Sequence, residues 1–540
     1  MLNLARLHEA ISDRIPDREC IVFRDRHLSY REVTERTRRL ASVLRSHGLG
    51  CHHERAVLRP WESGQDHVAL YLYNGNEYLE GMLGAFKART VPFNVNYRYV
   101  DDELLYLFSN AEARAVVFHA GFAPVLRRIR DRIPEVALWL EVDDGSDEHL
   151  EGALPYEEAL ASAEPTAPTR LSPDDLYMLY TGGTTGLPKG VLWRQEDIFL
   201  GALAPGTVSS LDDVVERAER GGPRMLTTPP FMHGAAHWAA FGAFHAGGTV
   251  IVPDSHEGRL DPEGVWHLLE REKATALTIV GDAFGRPLLD SLSRGAHDVS
   301  SLRLLNNGGA ILSPELKKRF LDAIPGLRLR DNLGSSESGA QATQDVRAGQ
   351  PVQSGDFELQ QQSVVLTESL DGVLPPGDER IGWLARAGHV PLGYLGDPEK
   401  TERTFPTIDG VRYSVPGDRA RRDTNGRLVL LGRDSVTINT GGEKVFAEEV
   451  ETALKVHPAV YDAIVIGLPH ERWGQQITAV VQLAKGQEAT PESLRETVRA
   501  HLAPYKLPKA FVFVTEVIRS PSGKADYRWA REAALDGLAS

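Results

Sequence analysis

Only two cysteines, Cys20 and Cys51, occur in 540 residues. Two thiols without metal-ligand spacing exclude a disulfide framework and point to a reducing cytosol. Positive charge is also short. With 60 basic against 75 acidic residues the net charge is −15, which excludes broad attraction to nucleic acid or anionic lipid while leaving room for a local basic cleft. No apolar run approaches the ~20 residues of a membrane-spanning helix. The start, Met1 to Arg14, sets Leu2, Leu4, Leu7 and Ile11 among charges, unlike an export signal. The expectation is a cytoplasmic protein with no integral membrane segment and no nucleic-acid partner; a homodimer is left open. Internal repeats are lacking too, and the length exceeds what one hydrophobic core serves, so two or more domains are expected.

What the chain does have is concentrated in one stretch. Tyr180-Thr181-Gly182-Gly183-Thr184-Thr185-Gly186-Leu187-Pro188-Lys189-Gly190 holds four glycines, three threonines and one lysine after the apolar run Leu176 to Leu179. Glycines let backbone amides approach an anion, threonine hydroxyls donate, and the lysine adds charge, so a nucleotide polyphosphate is the natural ligand. It is not a Walker loop. Lys189 lies between Pro188 and Gly190, and a β-like Val191-Leu192-Trp193 follows where a helix start is required. Taken alone, such a loop is equally compatible with a plain surface turn.

Apolar β-rich runs recur at Val68 to Tyr73, Ala115 to Phe118, Thr249 to Val252, Leu277 to Val280 and Leu302 to Leu305. Helical periodicity lies between them, at Tyr30 to His47 and at Ser313 to Ile324, where Ser313-Pro314 predicts an N-cap. This alternation predicts an α/β protein with a large layered N-terminal domain, its β-sheets covered by helices, over residues 1–433. A second style begins after Gly432-Arg433: helix Ala447 to His457, strand Ala463 to Gly467, strand Ile477 to Leu483, helix Pro491 to Leu502 and strand Phe511 to Val517. It predicts a small α+β C-terminal domain over residues 434–540.

Further segments join the opening loop: His27-Leu28-Ser29-Tyr30-Arg31-Glu32-Val33, Asn306-Asn307-Gly308-Gly309-Ala310, Asp331-Asn332-Leu333-Gly334-Ser335-Ser336-Glu337, Tyr413-Ser414-Val415-Pro416-Gly417-Asp418, Gly432-Arg433-Asp434-Ser435 with Thr440-Gly441-Gly442-Glu443-Lys444, and Pro521-Ser522-Gly523-Lys524. In this order and spacing the chain resembles the acyl-adenylate-forming superfamily, in its acyl-CoA synthetase branch, over nearly its whole length. The resemblance implies that ATP converts a carboxylic acid to an acyl-AMP anhydride with release of pyrophosphate, and that the thiol of coenzyme A then displaces AMP.

Carried over motif by motif, Thr181, Gly182, Gly183, Thr184, Thr185, Gly186 and Lys189 would hold the β- and γ-phosphates. Glu337 would help bind Mg2+, as a carboxylate suits a hard cation. Gly308, Gly309 and Ala310 would leave room for the flat adenine beside Asp331, Asn332, Leu333 and Ser336. Asp418 would accept from the ribose hydroxyls with Arg433 nearby. Lys524 would reach from the small domain to the carboxylate and α-phosphate oxygens in the first step. A mobile small domain would then rotate and present Gly441 and Gly442 to the pantetheine arm.

Three positions depart from the family pattern. The hinge residue is Ser435 where Asp or Lys is usual, Leu333 replaces an aromatic beside adenine, and Ser336 replaces threonine. None deletes a required charge, and a chain specialised for one half-reaction, accepting supplied acyl-adenylate, stays open. The acid pocket is expected near Pro229-Pro230-Phe231-Met232-His233-Gly234-Ala235-Ala236-His237-Trp238, with His233 bordering the carboxylate or serving only in packing. Gly234, Ala235, Ala236, Ala239 and Ala240 suit a bulky or medium/long apolar acid, or simply close helix packing. The alternatives to an acid:CoA ligase are a stand-alone adenylation enzyme that loads a carrier protein and a noncatalytic acyl or nucleotide sensor.

Overall fold

The computed structural model describes residues 2–182, 187–204, 206–254, 259–351, 356–360, 362–440, 443–471, 473–521 and 523–539. Strand alternation sets the layering of the large domain. In Thr249–Val252, Val250 and Val252 enter one apolar cluster and Ile251 another; in Glu19–Phe23, Ile21 and Phe23 oppose Val22. A period of two with both faces apolar marks strands covered by helices on each side. These strands belong to a long sheet in which Glu19–Phe23, Thr249–Val252, Arg224–Thr227, Ala276–Ile279, Leu304–Gly308 and Arg328–Ser335 run parallel as successive neighbours. Beyond Arg328–Ser335 the sheet turns antiparallel through Gly339–Arg347, Asp356–Leu359, Leu428–Arg433, Asp418–Arg422 and Gly382–Ala387.

A second sheet, built from Val91–Asn94, His67–Tyr71, Ala113–His119, Leu138–Val142 and Leu154–Pro155, is parallel throughout. Helices Leu4–Arg14, Tyr30–Ser46, Asn76–Ala88 and Gly234–His245 fill the space between the two sheets. Helices Pro262–Glu272, Gly281–Leu292 and Pro314–Ala323 cover the outer face of the long sheet. The local sequence supports these boundaries. Ser29 starts Tyr30–Ser46 with a capping box: its Oγ accepts from the Glu32 amide at 3.2 Å, and Glu32 Oε2 accepts from the Ser29 amide at 2.7 Å, an arrangement that contributes about 1 kcal/mol.

The small domain is a sheet of Glu443–Phe446, Thr437–Thr440, Gly474–Leu483 and Val460–His470, with Ala510–Val514 added parallel to Gly474–Leu483. Helices Ala447–Leu454 and Pro491–Arg499 pack on one face, and Tyr527–Ala539 packs on the other. Among the described residues no helix is long and apolar enough to cross a membrane.

Several element ends differ from the sequence reading, and three of the differences have a visible cause. The strand expected at Ala463 to Gly467 extends over Val460–His470 because its antiparallel partner Gly474–Leu483 pairs with it along its whole length. The strand expected at Leu302 to Leu305 is Leu304–Gly308, which carries Asn306 and Asn307 into the sheet beside Arg330 and Asp331. Ser313 precedes its helix without capping it: the Ser313 amide donates to Asp282 Oδ1 at 2.7 Å, so Asp282 fixes that entry.

Candidate active site

The parallel strands of the long sheet end at a cavity of about 1920 Å3 lined by residues of both domains. Gly308 and Asn332 are register partners at the carboxyl ends of neighbouring strands, where open α/β sheets hold their ligands. The glycine- and threonine-rich stretch is a hairpin: Thr181 pairs with Lys189 across the antiparallel strands Leu176–Thr181 and Lys189–Arg194. Thr181, Gly182, Leu187 and Pro188 line the cavity; Gly183, Thr184, Thr185 and Gly186 lie outside the described residues. Asn94 ties this hairpin to the His233 segment. Its Nδ2 donates to the carbonyls of Tyr180 at 2.9 Å and Met232 at 2.7 Å, and its Oδ1 accepts from the Tyr180 amide at 2.8 Å.

Lys189 is ion-paired with Asp397. Asp397 in turn accepts from the Lys400 amide at 3.0 Å as N-cap of the helix Pro398–Thr404. Asp397 thus holds the Lys189 ammonium at the base of the hairpin from the start of that helix.

Gly308, Gly309, Asn332, Leu333 and Ser336 line the cavity, while Ala310 and Asp331 support it from below. Ala310 packs into the cluster under the helix Gly281–Leu292. Asp331 is buried, with Lys317 Nζ at 2.7 Å and Asn307 Nδ2 donating to it at 2.7 Å. Successive residues of a strand face opposite sides, so Asn332 reaches the cavity and Asp331 the helix layer. This corrects the expectation that both border the nucleotide.

Glu337 follows the hairpin side of this floor. Its Oε1 accepts from Tyr394 Oη at 3.1 Å, and its backbone carbonyl accepts from Ser414 Oγ at 2.6 Å. Asp418 and Arg433 are opposite one another in the register, with Arg433 Nε 3.2 Å from Asp418 Oδ1. The Asp418 charge, outweighing burial, holds the guanidinium above its ordinary pKa.

Lys524 lines the same cavity from the small domain. It remains open to water within the cleft, yet loss of hydration, followed by the Arg433 charge, pushes its ammonium below the usual lysine range, against the pull of Glu337 and Asp418. Four charges thus converge from both domains. Gly523 makes this approach feasible: it has φ +73, and a Cβ there would stand 2.9 Å from the Val280 carbonyl of the large domain. His233 faces the cavity too. Burial, then the nearby Lys524 charge, drives its ring down to about 3, and Nε2 has no hydrogen-bond partner among the described residues. It is a neutral imidazole at neutral pH. His237, by contrast, is buried between Tyr177 Oη and the Phe231 carbonyl and is structural. Gly441 and Gly442 lie outside the described residues.

From His233 the cavity runs along one face of the helix Gly234–His245, past Gly234, Trp238, Gly242 and Ala246. A Cβ at Gly242 would meet nothing within 4 Å. Twelve residues of helix measure about 18 Å, the length of an extended chain of roughly fourteen carbons. Sequence reasoning missed Asn94, Tyr394 and Asp397, which carry no motif of their own.

Comparison with known proteins identifies the family. The profile of the family described as "AMP-binding enzyme" matches residues 8–389, and that of "AMP-binding enzyme C-terminal domain" matches residues 449–524. The chain is 51% identical over 539 residues to "Medium-chain acyl-CoA ligase Mig" of Mycobacterium avium, covering 98% of each. It is 39% identical to "3-oxocholest-4-en-26-oate--CoA ligase" of Rhodococcus rhodochrous, covering 98% of this chain and 96% of that one. In fold it is similar to the anthranilate CoA ligase AuaEII solved with anthranoyl-AMP, at a TM-score of 0.84 and 22% identity, over 100% of this chain and 98% of that one. The chain belongs to the AMP-binding enzyme family, in its acyl-CoA ligase branch.

Proposed function

We propose that this chain is an ATP-dependent acid:CoA ligase that activates medium- or long-chain apolar carboxylic acids as acyl-AMP and transfers them to coenzyme A. The observation that carries the reading is the continuity of one cavity from the phosphate hairpin, past Lys524 and His233, into the channel beside Gly242. A carboxylate is a poor electrophile, and joining it to phosphorus brings two anions together, so positioned positive charge is the main catalytic need. Lys524 meets that need between the acid and the α-phosphate, and the hairpin amides with Lys189 hold the outer phosphates. Neutral His233 borders the carboxylate without adding a repelling charge. Asp418 takes the ribose hydroxyls, Arg433 stands beside it, and Gly308, Gly309, Asn332, Leu333 and Ser336 surround the base.

Glu337 fits a Mg2+ ion: Tyr394 engages one carboxylate oxygen, which leaves the other for a hard cation shared with phosphate. When bound, Mg2+ would offset the charge of the phosphate oxygens. The chain divides at 433/434. The short turn Asp434–Val436 serves as the pivot on which the small domain rotates to bring Gly441 and Gly442 to the thiol arm. The test is a panel of linear acids from four to eighteen carbons, followed separately for pyrophosphate release and CoA thioester. Optimal turnover between eight and fourteen carbons is expected, and absence of thioester with every acid would overturn the reading.

A further inference from the structure

Outside the cleft, on the outer helix layer of the large domain, Glu263, His267 and His297 converge, with one donor atom from each within 4.8 Å of the others. Glu263 and His267 are one turn apart on the helix Pro262–Glu272; His297 comes from the segment after Gly281–Leu292. Glu263 Oε1 lies 3.4 Å from His267 Nε2 and 3.5 Å from His297 Nε2. Donor atoms about 2.0–2.1 Å from a tetrahedral Zn2+ stand about 3.3–3.4 Å from one another, so the two edges that meet at Glu263 already nearly match such a shell, and the third is within 4.8 Å. Two further observations point to a ligand. The His297 side chain is 3% exposed, and neither of its ring nitrogens has a hydrogen-bond partner among the described residues, a costly arrangement for a buried imidazole. Ser291 Oγ donates to Glu263 Oε2 at 2.9 Å, which turns Oε1 toward both histidines in the manner of an outer-shell partner.

We propose that Glu263, His267 and His297 bind a divalent transition-metal ion of the Zn2+ type, with water completing the shell. Two imidazoles and one carboxylate favour Zn2+ over Mg2+ or Ca2+, which prefer all-oxygen surroundings. The ion would clamp the helix Pro262–Glu272 to the end of Gly281–Leu292, whose first turn carries Asp282 at the domain contact.

Metal-stripped full-length protein is titrated with Zn2+ and followed by Tm, and with Co2+ followed by visible absorption. A Tm rise with Zn2+ and not with Mg2+ is expected, with the intense d–d bands of tetrahedral Co2+. His267→Ala, at an exposed position that leaves the fold intact, and His297→Ala should each weaken binding at least tenfold, and Ser291→Ala by about 10- to 100-fold. Glu337→Gln should leave the response unchanged. No Zn2+ response, an equal response to Mg2+, an unaltered response in both histidine variants, or its loss in Glu337→Gln would overturn the site.

Discussion

Lys455 of the small domain places its ammonium 3.3 Å from Asp282 of the large domain and 3.1 Å from Asp462, which Arg519 grips with two nitrogens at 2.6 and 2.7 Å. Burial alone would lower the Lys455 pKa, but Asp462 and Asp282 outweigh it and hold the group charged. This buried ion network joins the domains in the orientation that puts Lys524 among Glu337, Asp418 and Arg433. Removing the cross-domain carboxylate should therefore release the small domain selectively. Asp282→Asn is expected to lower pyrophosphate release about tenfold or more, while thioester formation from supplied acyl-AMP is maintained. An equal loss of both half-reactions would contradict a role in domain orientation.

Lys524 should separate the two half-reactions most sharply. In the proposed function its charge acts where the carboxylate meets the α-phosphate, and loss of one such group costs about 10²–10³ in rate. Lys524→Ala is expected to lose that factor in pyrophosphate release with little change in KM for CoA. Single-turnover assays from preformed acyl-AMP supply the comparison.

The difference between what was legible and what was not follows from sequence distance. The hairpin, Glu337, Asp418 and Lys524 lie in contiguous motifs with their turns. Asn94 and Asp397 do not: their partners Tyr180 and Lys189 are 86 and 208 residues away, and isolated polar residues look alike until the sheets assemble. Asp331 misled for another reason. It belongs to the same motif as Asn332, but the pleat sends neighbours to opposite faces, and only the pairing with Leu304–Gly308 shows which faces the cleft. The layered fold was legible because the apolar strand runs are uninterrupted. The helix Tyr527–Ala539 was not, since its buried positions Ala530 and Ala534 are small and sit among charges.

Gly242 should set chain length. It lies about 12 Å of helix beyond Gly234, facing open space, so a bulky side chain there would block the channel beyond roughly the ninth carbon. Each buried methylene contributes about 0.8 kcal/mol, or fourfold, so losing the five carbons of tetradecanoate beyond that point costs about 10³. Gly242→Phe is expected to lower kcat/KM for tetradecanoate by about that factor and leave octanoate within about threefold. A uniform fall across the acid panel would mean that the helix, not the channel, was damaged.

Domain orientation should also respond to pH through Glu448, at the start of the helix Ala447–Leu454. A Cβ on Gly432 would stand 2.5 Å from its Oε2, which puts this carboxyl across the pivot from the strand Leu428–Arg433. Oε2 has no hydrogen-bond partner among the described residues. Burial, then repulsion from Glu451 and, more weakly, Asp418, pushes its pKa up to about 8. The sign follows from linkage. A carboxyl with a higher pKa when docked than when hydrated takes up a proton on docking. Its contribution to the docked orientation is fully present below its ordinary pKa and is lost as pH rises through about 8. Of the other groups facing it, Arg433 from the strand is held above its ordinary pKa by Asp418 and stays charged over that range, while burial pushes Glu451 of its own helix up as well. The ratio of adenylation to thioester formation in wild type is therefore expected to fall between pH 6 and pH 9. Glu448→Gln, which keeps the shape and remains uncharged, should flatten that profile near its low-pH value; a wild-type slope unchanged in the variant would assign the effect to another group.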